Sequence, residues 1–442
     1  MTSKERTRKL PGTKNQFGNS RRKPKVKSEK DKDEVIHLIN KASQKPVLSA
    51  YSRLGPIKNY SDLLINNSTD HCEVLAGEHI IHMVECWRYL SSAMYAYLNN
   101  EEQHAIHLGY YAELRAVLSL YAGSGIQANK NYEKNEPPYW IDEDGNKNSL
   151  KNKIKTHDFA WEVWKKWTAR SDAKDLLLNS IFLQPGVSLN NFIPHLCLFK
   201  PDALLKTWGY DLLKLNEDHL ARNIASYQAY WGKSPLTRMR RDQIEFAQEL
   251  ARLFTKAETG LLFDKMLILY LIHGTLNSQV GEEEMESADL LQTKSLKELI
   301  AGVARSSGID ENSLKSHLEV SSLKAFNIFD KAKQGEVHIE NILARAAFLA
   351  RLAMLSVNKN VASSGNQNVK FWVQHWLEHC GCWVPNDEVE PEDLETDYRE
   401  AIDEFSSGKF KNMPADLWNR ENVYTTLVIA NPHMCIAWGL VI

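Results

Sequence analysis

Two long stretches with apolar residues at helical spacing, Glu73–Leu98 and Glu101–Ala122, are separated by almost nothing. A connection as short as Asn99–Glu102 dictates an antiparallel helical hairpin. Gly123 and Gly125 supply a stop for the second helix. A hairpin of this kind must bury its apolar faces against other elements. Most of the remaining apolar spacing is also helical, with little sign of strands. The expected fold is therefore mostly α: a multi-helix bundle, a second C-terminal helical region and a disordered basic N-terminal arm.

The stretch Gln103–Gly125 carries two faces of different character. At helical pitch His104, Tyr111 and Arg115 fall on nearly one line, with His107 beside them. This stripe is more polar than a core seam requires, and it suits a phosphate, an acid or another helix. On the preceding helix His79, His82 and Glu85, followed by Arg88, are placed to line the same cleft. A satisfied polar network buried between the two helices explains the same residues without chemistry.

With 442 residues, 43% of them hydrophobic, the chain has room for two or three domains and a sizeable core. A net charge of −2 excludes a wholly basic coat protein, but the charge is unevenly spread. Between Lys4 and Lys27 the only acid is Glu5, whereas basic residues are frequent and include Arg21, Arg22 and Lys23. Residues 1–33 hold almost no large apolar side chain and cannot offset the entropy of ordering. They read either as a solubilising tail or as a polybasic arm that follows a nucleic-acid backbone. The body is expected to divide into a helical core, 34–277, and a C-terminal helical region, 278–442, with the acids Glu282–Glu286 near the junction.

Expected helices in the core, beyond the hairpin, are His157–Asn179, Ser188–Leu198, Pro201–Leu213, Asn216–Trp231, Pro235–Ala257 and Leu261–Thr275. The C-terminal region adds Thr293–Ser306, Glu311–Phe329, Glu336–Val357 and Asn368–His379, with 358–368 as a polar loop. Residues 129–152 form a polar insertion. Its Asp-Glu-Asp-Gly-Asn run lacks the downstream glutamate of a calcium loop and reads as a turn. The apolar C-terminal stretch is interrupted by Asn431, Pro432 and His433, which argues for a buried or docking segment and against membrane insertion. No secretory signal is evident, and six scattered cysteines suit a reducing cytoplasm.

Trp161, Trp164 and Trp167 share a helix face and read as core packing in preference to a base-stacking platform. Lys233, Arg238, Arg240 and Arg241 surround a helix start at Pro235, a combination that holds phosphate. His375, His379, Cys380 and Cys382 have incomplete spacing for zinc, so no metal and no cofactor is expected. Leu296–Lys324 has the outline of a helix-turn-helix with a thin basic set. No phosphate-binding glycine loop, nucleophile elbow or His-Glu-x-x-His signature is present.

The stretch Tyr110–Leu120 (YYAELRAVLSL), followed much later by Arg222–Tyr227 (RNIASY), resembles the HEPN superfamily, α-helical bundles of bacterial defence and toxin systems that often cleave RNA as dimers. The resemblance implies that Arg222 matches the family's arginine and Asn223 its polar neighbour, with Tyr227 standing where the family has histidine. It implies a nucleic-acid-engaging component of an antiphage-defence or toxin-type system, with or without RNA cleavage. If the chain is an enzyme, it is a metal-independent ribonuclease. Arg222 would then stabilise charge, Asn223 would orient, and His104 or His107 would replace the missing imidazole. RNA or DNA would be held by the arm, Arg115 and the patch Lys233–Arg241, beside other subunits of a complex. The alternative is a non-catalytic scaffold or sensor subunit of a multi-protein defence complex.

Overall fold

In a computed structural model the described residues are 29–55, 70–128, 137–150, 156–196, 205, 241–257, 260–279, 294–318, 326–334, 338–369, 396 and 400, and they are mostly helical. The expected hairpin is present as α3 (His71–Leu98) and α4 (Glu102–Gly123), preceded by α1 (Glu29–Lys41) and α2 (Lys45–Tyr51). Asp70 caps α3, its carboxylate accepting the Cys72 N–H at 2.8 Å. The chain reverses at Asn100, whose φ of 61° lies in the left-handed region that asparagine tolerates. α1 begins inside the stretch expected to be an arm, and neither α1 nor α2 was expected as a separate helix.

The polar insertion holds more than a turn. β1 (Ile126–Gln127), β2 (Tyr139–Ile141) and β3 (Lys147–Ser149) form an antiparallel sheet in which Ile126 opposes Trp140 and Trp140 opposes Asn148. The Asp-Glu-Asp-Gly-Asn run is the β2–β3 turn. The Asp142 carboxylate accepts from the Asn146 N–H at 2.9 Å, the Asp144 N–H at 3.1 Å and the Asn148 amide at 3.1 Å. Those bonds hold its pKa below the usual aspartate value.

The single helix expected over His157–Asn179 is two, α5 (Thr156–Trp167) and α6 (Ser171–Ser180). Arg170 breaks it with an extended backbone (ψ 150°), and its guanidinium donates to the Ala42 carbonyl at 3.1 Å and to Asp172 at 2.7 Å. Trp164 and Trp167 are buried and stacked, with ring centroids 5.0 Å apart, which agrees with the packing reading; the Trp161 side chain lies outside the described residues. A short hairpin, β4 (Phe182–Gln184) and β5 (Val187–Ser188), leads into α7 (Leu189–Phe192) and a 3₁₀ turn at Ile193–His195. This replaces the longer helix expected from Ser188.

The chain continues through α8 (Arg241–Arg252), the strand pair β6 (Lys256–Ala257) and β7 (Gly260–Leu261), and α9 (Leu262–Gln279). α10 (Lys294–Ser307), α11 (Glu311–Leu318), α12 (Phe326–Lys333) and α13 (Ile339–Ser364) follow. The stretch 358–368, expected as a loop, is helical as far as Ser364. It ends at Gly365, whose φ of +65° is the left-handed cap that stops a helix.

α13 packs against α4, α3, α12, α2 and α6, so most of its residues are buried. Close approach to α4 requires Gly109, because a Cβ there would lie 2.9 Å from Ile342 Cγ2. Side chains such as Leu343, Phe348 and Leu352 each contribute about 1.5–3 kcal/mol on burial. Apolar residues from Val35 to Val369 form one continuous cluster. Among the described residues no helix is long and apolar enough to cross a membrane.

Candidate functional site

From Ala105 to Gly123 every residue of α4 is buried except His107, Leu108, Tyr111 and Arg115, with His104 exposed one turn earlier. The polar stripe is thus the solvent-facing edge of an otherwise buried helix. The His107 ring lies 5.0 Å from Tyr111, and Tyr111 stacks on Tyr89 of α3 with centroids 5.5 Å apart and planes at 27°. His104 Nδ1 is 2.9 Å from the Glu101 carboxylate at the start of its own helix.

Arg115 ends the strip against α3. Its Nη1 donates to Nδ1 of His82 at 3.0 Å, and its Nε lies 2.9 Å from Oε2 of Glu85. Arginine can only donate, so His82 accepts through Nδ1 and holds its proton on Nε2. Burial lowers the His82 pKa, aided by the Arg115 charge and opposed by Glu85.

One turn before His82 stands Glu78, a half-buried acid that the sequence reading missed. Burial pushes its carboxyl up to about 7, against the opposing effects of the Gln127 amide 3.4 Å away and the Arg115 charge. A carboxyl poised there accepts or releases a proton near neutrality. Its signal was the spacing Glu78, His82, Glu85 along one face of α3.

His79 does not share this cleft, which corrects the expectation. It faces the interior between α2, α4 and α13 and is 0% exposed. Its Nδ1 is 2.9 Å from the Tyr51 hydroxyl and 3.4 Å from the Asn360 amide, and its ring lies so close to Gly123 that a Cβ there would sit 2.6 Å from Cε1. Burial drives its pKa down to about 3. His79 thus belongs to the buried polar network between the helices, its Nε2 without a hydrogen-bond partner among the described residues, whereas His82, also buried, lies against Arg115 at the end of the strip.

Arg222, Asn223, Tyr227, Lys233, Arg238, Arg240 and the arm residues Arg21, Arg22 and Lys23 lie outside the described residues, as do His375, His379, Cys380 and Cys382. Arg241 is the first residue of α8. Among the described residues no group of three His, Cys, Asp or Glu side chains is placed to hold a metal ion. Comparison with protein-family models, curated proteins and solved structures gives no match.

Proposed function

We propose that this chain is an HEPN-like, nucleic-acid-engaging component of a bacterial antiphage-defence or toxin-type system, and that single-stranded RNA lies along the outer strip of α3 and α4. The carrying observation is that the solvent-facing edge of α4 is a line of imidazole, phenol and guanidinium groups, His104, His107, Tyr111 and Arg115, beside Tyr89. Unstacked bases lie on tyrosine faces, and cationic side chains track the phosphates between them. Arg115 is already matched by Glu85, so the arm and the patch Lys233–Arg241 supply most of the backbone charge. For cleavage, an imidazole of His104 or His107 takes the 2′-hydroxyl proton as that oxygen attacks phosphorus. Arg222 stabilises the phosphorane, Asn223 orients it and Tyr227 donates a hydrogen bond. The P–O5′ bond then breaks and the proton passes to the leaving oxygen.

The test is binding and cleavage of labelled single-stranded RNA by the full chain. Tyr111→Ala should weaken binding by about 1–3 kcal/mol, the worth of one stacked base. Arg222→Ala should abolish cleavage and leave most of the binding. RNA affinity that ignores Tyr111→Ala overturns the strip as its site.

A second reading, a non-catalytic scaffold or sensor subunit, is favoured by the acids that match His104 and Arg115 from within the chain and by Tyr95, 50% exposed on α3. On that reading the strip meets protein, and RNA is not bound at all.

A further inference from the structure

Of the five N–H groups of the Arg115 guanidinium, one is hydrogen-bonded among the described residues, Nη1 to His82. Nε sits 2.9 Å from Glu85 Oε2, yet its N–H is directed at no acceptor. Nη2 makes no hydrogen bond among the described residues. The Nε–Nη2 edge is the fork that takes two oxygens of a phosphate or carboxylate side by side. Here Glu85 stands beside that fork as a charge without filling it.

The two neighbours of Arg115 differ in how firmly they are held. His82 is buried (5% exposed), whereas the Arg115 and Glu85 side chains are 26% and 21% exposed. The contacting atoms, Nε and Oε2, are covered and Oε2 also lies 3.7 Å from His82 Nδ1, but the pair has no aligned hydrogen bond and both side chains keep a solvent-facing part. The imidazole can therefore keep the guanidinium aimed while the carboxylate turns out to solvent.

We propose that Glu85 is an intramolecular stand-in for a ligand phosphate: it shields Arg115 in the free protein and yields that edge to a phosphate group when ligand binds. Glu85 sets the threshold for anion binding and His82 is the positioning residue. The identity of that phosphate as part of an RNA backbone rests on the function proposed above; the competition at Arg115 does not.

The experiment uses the full chain as wild type, Glu85→Gln, Arg115→Gln and the double variant. It follows labelled single-stranded RNA across a salt series, and the rise in thermal midpoint with inorganic phosphate at constant ionic strength. Glu85→Gln should tighten RNA binding about tenfold and steepen the logarithmic salt slope by about 0.7, one additional phosphate contact. It should also enlarge the phosphate-induced shift. The double variant should lose both gains, and Glu85→Ala should behave as Glu85→Gln.

Glu85→Gln binding phosphate and RNA no more tightly than wild type, or gains that survive in the double variant, overturn the proposal. An Arg115-dependent gain for phosphate with no RNA binding in any form keeps the competition and removes the RNA reading. RNA bound equally by wild type and Glu85→Gln does the reverse.

Discussion

Two acid–arginine pairs meet on α4 only two residues apart, and they differ in almost everything except chemistry. Glu113 points inward, where its carboxylate accepts from Arg345 Nε at 3.0 Å with the two side chains 0% and 1% exposed. Arg115 points outward to Glu85, in a pair that is close, partly exposed (26% and 21%) and not aligned for a hydrogen bond. The inner pair ties together residues 232 apart in the chain. A second buried pair repeats the pattern, Arg351 donating to both oxygens of Asp264 at 3.0 and 2.6 Å. The difference teaches that burial decides what an ion pair does. Inside, removing one partner strands a charge and the pair enforces a single packing; outside, the same groups remain open to exchange.

The largest effect should come from breaking the inner pair. Arg345→Met alone should cost about 3–5 kcal/mol in denaturant unfolding, and adding Glu113→Leu should recover much of it, because the stranded carboxylate is then gone. A cost below about 1 kcal/mol would erase the distinction between the two pairs.

An intermediate effect should appear in pH titrations of the thermal midpoint, from two neighbours on α3, one fully buried and one partly exposed. The folded pKa of His79 is depressed from 6.5 to about 3, so the unfolded chain binds the extra proton and stability falls as pH drops from 6.5 toward 3. The folded pKa of Glu78 is raised from 4.5 to about 7, so the folded chain holds the extra proton and stability falls as pH rises from 4.5 through 7. Glu78→Gln should flatten the second slope and leave the first. A variant that flattened neither would show that Glu78 does not titrate in that window.

The smallest effect should be the stability cost of Glu85→Gln, under about 1 kcal/mol by the same unfolding measurement. A larger loss would make the outer pair a structural element like the inner one.

The hairpin was legible because its cause is local: two periodic stretches, a connection too short for anything else, and glycines at the far end. The outer strip was legible for the same reason, since one helix's periodicity places His104, Tyr111 and Arg115 on a line. What lay beyond reading depends on partners far along the chain. The stretch Asn358–Asn368 holds nothing apolar beyond Val361 and Ala362, and such polarity reads as a loop, but Asn360 is only 9% exposed because its amide meets His79. Arg170 breaks a helix whose periodicity runs straight through it, because carbonyls near Ala42 await its guanidinium. His79 and His82 are spaced to share a face, yet the first is drawn inward by Tyr51 and Asn360 and the second stays at the edge with Arg115. Glu85 as a rival for Arg115 was invisible, since both had been read only as residues of one cleft.

The place of α13 in the centre of the helices has a consequence for how the chain is made. The inner faces of α3 and α4 are complete by Gly123, but the helix that covers them ends at Ser364. At a synthesis rate of about 5–20 residues per second, those faces wait roughly ten to fifty seconds on the ribosome before their cover emerges. A nascent chain of this protein therefore keeps those apolar faces uncovered throughout that interval, and a stop codon placed before residue 339 should leave them uncovered for good and the product prone to aggregate.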